Sequence, residues 1–230
     1  MKTQSFLTSF LLALIMLSCN SVEFTEEFKA ETSGKYLYNA DDVIEVYYKG
    51  NDLYLKWREG EMKSVTTGDN EFFVADMYKK LHFVENSSSK EKYLSVIQEE
   101  NTDSITYDYL KVADDYKTPS TYLKEANYEK ALEGFLKIKE KDSTSEFIQQ
   151  YKFNRIGYRF LRDKKHEDAV AIFKMNTILH PNSPNVYDSL GDGYLATGDS
   201  LNAYNNYLKS YDLNSRNKRA KEFIEIYEAK

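Results

Sequence analysis

The 230-residue chain contains one cysteine, three prolines, one tryptophan and three histidines. A single cysteine excludes an internal disulfide framework, so packing alone must hold the fold. The histidines, at 82, 166 and 180, lack the close spacing of a metal site. No glycine-rich phosphate loop is present. Basic residues are not in excess, with 31 Lys+Arg against 37 Asp+Glu and a net charge of −6. That argues against a surface able to neutralise phosphates, and with it against nucleic acid as a partner. The adjacent carboxylates Asp41-Asp42 and Asp114-Asp115 sit in turn-like sequence, not in a catalytic arrangement. Neither a metal nor a cofactor is expected.

The one sustained apolar run is Phe10-Leu11-Leu12-Ala13-Leu14-Ile15-Met16-Leu17, preceded by Lys2 and closed by Ser18-Cys19. A basic start, a short apolar core and a small residue before the cut make a secretory signal. The run is too short to span a bilayer comfortably. Ser18-Cys19 resembles the lipobox of bacterial lipoproteins, with Met16 standing where Leu is usual. The resemblance implies removal of residues 1–18 and acylation of Cys19. It also implies a place in the bacterial cell envelope, on the outer membrane facing periplasm or surface. A plain secretory signal with an incidental cysteine is the alternative. Residues 19–30, with Glu23, Glu26 and Glu27, read as a polar tether.

Tyrosine is abundant, with 20 copies, and suits half-buried sheets and exposed contact faces. From Gly34 to Val112 the apolar period is two. Short strands are predicted over 35–38, 43–49, 53–57, 62–65, 71–74, 80–84, 93–98 and 104–112. Gly50-Asn51 forms a hairpin turn, and Leu53, Leu55 and Trp57 share one face. Eight short strands imply an antiparallel meander curled into a small barrel over 31–113. Its interior aromatics either line a ligand pocket or fill the core. The order Tyr36-Leu37-Tyr38, Ile44-Glu45-Val46, Gly50 to Leu55, Asp69-Asn70-Glu71-Phe72-Phe73 and Leu81-His82-Phe83 resembles the lipocalin-like β domain of bacterial serine β-lactamase-related hydrolases.

Pro119 begins a helical pattern that occupies 117–230. Gly157 and Gly191, Ala169 and Ala203, and the aromatics Phe173 and Tyr207 each lie 34 residues apart. A fixed period of that length marks stacked helical hairpins. Ile156-Gly157, Phe160, Ala169, Phe173 and Pro181 resemble the tetratricopeptide repeat, as do Tyr187, Leu190-Gly191, Tyr194, Ala203 and Tyr207. Asn176 and Ser215 depart from that pattern. An earlier pair carrying Ala131 and Phe135 is degenerate. Residues 216–229 read as a capping helix in which Phe223, Ile224 and Tyr227 cover the last repeat. The expected class is therefore α+β, a small antiparallel β barrel followed by an α-helical tetratricopeptide-type solenoid.

Tyr187-Asp188-Ser189-Leu190-Gly191 is also similar to tails of the same hydrolase group. That group builds its activated serine from Ser-x-x-Lys and Tyr-x-Asn. Ser87-Ser88-Ser89-Lys90 and Tyr204-Asn205-Asn206 match these patterns only by chance, since one is a turn and the other a repeat helix. The chain is not expected to be an enzyme. By repeat register the groove-facing positions are Tyr151, Asn154, Tyr158 and Arg162, then Asn185, Asp188, Asp192 and Leu195. The acidic pair argues against a carboxylate clamp and for a basic or hydroxyl-rich segment with an aromatic anchor. Alternatively, Asp188 bonds a neighbouring helix end and Asp192 is solvated. The function expected is a membrane-anchored adaptor that binds an envelope protein or peptide. The alternative is a barrel that carries a small ligand or serves a separate serine hydrolase in trans.

Overall fold

The computed structural model describes residues 22–98 and 104–229. The signal run and Cys19 lie outside the described residues. Eight antiparallel strands follow in chain order: β1 (Gly34–Asn39), β2 (Asp42–Lys49), β3 (Asp52–Trp57), β4 (Gly60–Gly68), β5 (Glu71–Val74), β6 (Lys79–Glu85), β7 (Lys92–Val96) and β8 (Tyr109–Val112). Each pairs with its sequence neighbours, and β8 returns to β1 through Lys35–Val112 and Tyr36–Lys111. The meander closes into a barrel. Strand β8 is shorter than its apolar pattern suggests. Side chains replace the ladder there: Asp108 accepts from the Val96 amide at 2.8 Å, and Thr106 donates to the Val96 carbonyl at 3.0 Å.

Alternation sorts the strand residues. Leu53 and Leu55 are buried while Lys56 points to solvent. The barrel interior is filled rather than hollow. Phe72 packs on Phe24 at 5.3 Å and on Phe83 at 5.6 Å, and Tyr36 lies 6.0 Å from Phe83.

Phe24 belongs to the segment read above as tether. From Val22 onward that reading fails. Helix α1 (Glu26–Thr32) is capped by the Thr25 hydroxyl, with Glu26 and Glu27 in its first turn. Those acids therefore start a helix instead of merely solvating a linker. Phe24 is 5% exposed and Phe28 stacks on it at 5.2 Å. The β2–β3 turn grips the chain just before the helix: Asn51 accepts from the Phe24 amide at 2.8 Å and donates to the Val22 carbonyl. Thr32 bonds the Tyr48 hydroxyl at 2.7 Å, and Tyr36 donates to the Thr32 carbonyl at 2.8 Å. The segment corks one end of the barrel.

Seven further helices follow: α2 (Pro119–Lys124), α3 (Tyr128–Lys141), α4 (Gln150–Arg162), α5 (His166–Leu179), α6 (Pro184–Ala196), α7 (Ser200–Leu213) and α8 (Lys218–Glu228). They pair as hairpins α2–α3, α4–α5 and α6–α7, with α8 closing the stack. Ser183 and Pro184 open α6 as expected, although the Ser183 side chain makes no capping bond. Ile224 is buried, and Phe223 and Tyr227 stack on Tyr207 and Tyr204 at 4.8 and 4.6 Å. No helix among the described residues is long and apolar enough to cross a membrane.

The repeated glycines face aromatic rings of the hairpin's second helix. A Cβ at Gly157 would lie 2.3 Å from the Phe173 ring, and one at Gly191 would lie 2.9 Å from Tyr207. Both rings are buried. Gly157→Ala gains about 1 kcal/mol of helix propensity. Overpacking against Phe173 outweighs that gain, for a net loss of about 2 kcal/mol. Urea unfolding followed by far-ultraviolet circular dichroism reads the difference, with Gly191→Ala costing less. Equal or greater stability of Gly157→Ala would refute the packing account.

The two halves meet at the barrel end opposite the cork. After β8 the chain doubles back outside β1, where Lys35 donates to the carbonyls of Asp114 and Tyr116. It then reaches the β1–β2 turn. There Asp41, 7% exposed, accepts from the Ser120 amide at 2.8 Å and from the Ser120 hydroxyl. Burial raises the Asp41 carboxyl above the usual carboxylate range, against the pull of those bonds.

Candidate binding face

Helices α4 and α6 carry the positions expected to face a groove, and α8 adds side chains beside them. The strongest feature on them is a polar cluster centred on Asp192. Its Oδ2 accepts from the Tyr158 hydroxyl at 2.7 Å and from Arg219 Nη1 at 2.9 Å, and its Oδ1 accepts from Tyr207 at 2.5 Å. Arg219 Nη2 donates to Asp188 Oδ2, and Asn217 Nδ2 donates to Asp188 Oδ1 at 2.9 Å. Burial pushes the Tyr158 hydroxyl up to about 12, and Tyr207 rises further through burial and its bond to Asp192. Burial works against the Arg219 charge, but the two carboxylates hold it firmly protonated.

This arrangement engages the acidic pair within the fold and divides the alternative reading of it. Asp188 and Asp192 share the single guanidinium of Arg219, which offsets one of their two charges and holds both carboxylates within the fold. Asp188 does bond a neighbouring helix end, at Asn217, the residue that caps α8. Asp192 is not solvated: its side chain is 17% exposed and fully engaged. Asn154 is also committed, accepting from buried Asn176 at 2.8 Å. The departure at Asn176 thus ties α5 to α4, since its Nδ2 also reaches the Gln150 carbonyl at 3.0 Å.

Tyr151, Arg162, Asn185 and Leu195 remain exposed, Tyr151 at 58%. Arg162 forms no ion pair among the described residues. Arg219, Asn217 and Ile226 were missed from the sequence. Repeating the 34-residue step from Asn185 lands on Arg219, and from Asp192 on Ile226, so the register carried the signal. That signal is faint because α8 has neither the glycine nor the alanine of a repeat at the matching positions. Ile226 is 54% exposed.

The chance catalytic patterns lie where a turn and a repeat surface put them. Ser89 bonds Glu91 at 2.8 Å in the exposed β6–β7 turn, and Lys90 pairs with Glu85 at 3.3 Å. Tyr204 donates to Glu228 at 2.7 Å. His82 lies in β6, whereas His166 and His180 flank α5 at opposite ends. Among the described residues no three His, Cys, Asp or Glu side chains gather into a metal site.

The architecture is a corked β barrel joined to a stack of helical hairpins. No protein-family model matches the chain. No curated protein matches it either. Solved structures align with about half of the chain. One is the first TPR of Spaghetti (RPAP3) bound to the HSP90 peptide SRMEEVD, at 19% identity and a TM-score of 0.34, covering 48% of this chain and 86% of that one. Another is the Yersinia enterocolitica type III secretion chaperone SycD with a peptide of the translocator YopD, at 13% identity and 0.34, covering 48% and 87%. A third is PcrH with the chaperone-binding region of PopD, at 14% and 0.30, covering 48% and 80%. Scores below 0.5 leave the repeat assignment resting on the chain's own register and packing.

Proposed function

We propose that the chain is a membrane-anchored, non-catalytic adaptor that binds a protein or peptide of the bacterial envelope along the exposed face of α4, α6 and α8. The observation that carries this reading is the row Tyr151, Asn185 and Arg219, one residue per helix at a 34-residue step, with Leu195 and Ile226 exposed on the same helices. Aromatic, amide and guanidinium groups in such a row suit an extended segment that offers hydrogen-bond acceptors and an apolar anchor. Acylated Cys19 holds the protein to the membrane.

Tyr158 and Asp192 are unsuitable for testing the face, because both are structural. Tyr151→Ala combined with Asn185→Ala is suitable, since exposed positions away from the polar cluster change stability by less than about 0.5 kcal/mol. The double variant is expected to lose its partner in crosslinked pull-down from native envelopes while keeping its melting temperature. Undiminished capture would remove this face from the binding account. Separately, Cys19→Ser is expected to shift the protein from the membrane to the soluble fraction, and its retention in the membrane fraction would sink the anchor.

A further inference from the structure

A cavity of about 760 Å³ lies between barrel and repeats, away from the face just described. It falls within the range of roughly 300–1,000 Å³ typical of small-molecule sites. One wall is α3, the other β1 and the returning linker. Helix α3 buries Ala131 and Phe135 in the helical core, yet turns Lys130, Gly134, Lys137 and Lys141 toward the cleft. These fall at i, i+4, i+7 and i+11, a single stripe. A core-facing helix ordinarily packs apolar groups against its neighbour; this one presents ammonium groups to an apolar opposite wall of Leu37 and Tyr116, with Phe147 beside it.

The local acids Asp115, Glu133 and Asp142 offset part of the stripe, with Lys117 adding a further ammonium to the lining. Asp142 accepts from the Thr144 amide and hydroxyl at 2.9 and 2.6 Å. Glu133 pairs with Lys137 at 2.7 Å, but both side chains are about two-thirds exposed, so that pair is screened by solvent and exchanges readily. Asp115 on the linker forms no side-chain bond among the described residues, and it is the one carboxylate opposing the stripe. Among the described residues Lys130 forms no ion pair, although Glu133 feels its charge, and its ammonium lies 5.4 Å from the Tyr122 ring centre. Lys141 has no partner among the described residues.

We propose that this cleft binds a small amphipathic anion. Its single acidic head lies between Lys130 and Lys137, and its apolar body lies along Leu37, Tyr116 and Phe147. The site stands apart from the adaptor face and does not depend on it. The probe is 1-anilinonaphthalene-8-sulfonate, titrated by fluorescence into the full chain. One saturable site is expected, with palmitate competing and hexadecanol not. Lys130→Gln with Lys137→Gln raises the dissociation constant at least tenfold, whereas the paired Arg substitutions keep it within threefold. Lys218→Gln with Lys221→Gln, on α8, leaves it unchanged. Equal loss in the α8 pair, unchanged affinity in the cleft pair, or hexadecanol competing as well as palmitate would overturn the proposal. So would displacement of the probe by an acidic peptide but not by palmitate.

Discussion

Asp192→Ala is expected to destabilise the helical stack by about 3 kcal/mol. The carboxylate receives Tyr158, Tyr207 and Arg219 together. Its removal leaves a buried Tyr207 hydroxyl without its acceptor and leaves Arg219 to Asp188 alone. Arg219 is half exposed, which keeps the loss below that of a fully buried pair. Asp192→Asn keeps an acceptor and the side-chain volume, and about 1–2 kcal/mol is expected for it. The halves can be read apart because the only tryptophan, Trp57, lies in β3. Urea unfolding by circular dichroism follows the helices, and Trp57 fluorescence follows the barrel. The helical transition should move to lower urea in Asp192→Ala. A shift worth less than about 0.5 kcal/mol would show that the cluster is held by its surroundings rather than holding them.

Phe24→Ala is expected to cost the barrel about 3 kcal/mol, the range for emptying a buried phenylalanine site. The ring touches Phe28, Tyr48 and Phe72, so its loss opens a void at the corked end. Phe24→Leu conserves most of the volume and should cost less than about 1.5 kcal/mol. Here the Trp57 fluorescence transition moves. An unaffected transition in Phe24→Ala would restore residues 22–30 to the role of a solvated tether.

The strands and repeat helices were legible because each obeys one period over a long stretch. Leu53, Leu55 and Trp57 alternate, and Gly157 and Gly191 recur at a fixed step. The cork was not legible. Phe24 and Phe28 are only two apolar residues among Glu23, Glu26 and Glu27, and local composition cannot show that a barrel end needs filling. Register identified the face of α4 and α6, but not which of its side chains were free. Whether Asp192 meets solvent depends on Tyr207, 15 residues later, and on Arg219, 27 residues later. The lysine stripe of α3 resembled an ordinary solvated face, since nothing in the helix itself reveals the wall opposite.

The chain enters the barrel at the β2–β3 turn end and fastens its helices at the β1–β2 turn end. Strand β2, eight residues long, separates those ends by about 20 Å at a usual barrel tilt. Only two residues part Cys19 from Val22, three Cα steps with a reach of about 10 Å. With the proposed lipid on Cys19, the barrel would rest against the bilayer as a rigid pedestal. The repeats would then stand off the headgroups at a set height, so a partner's distance from the membrane would be fixed by the barrel and not by a flexible leash.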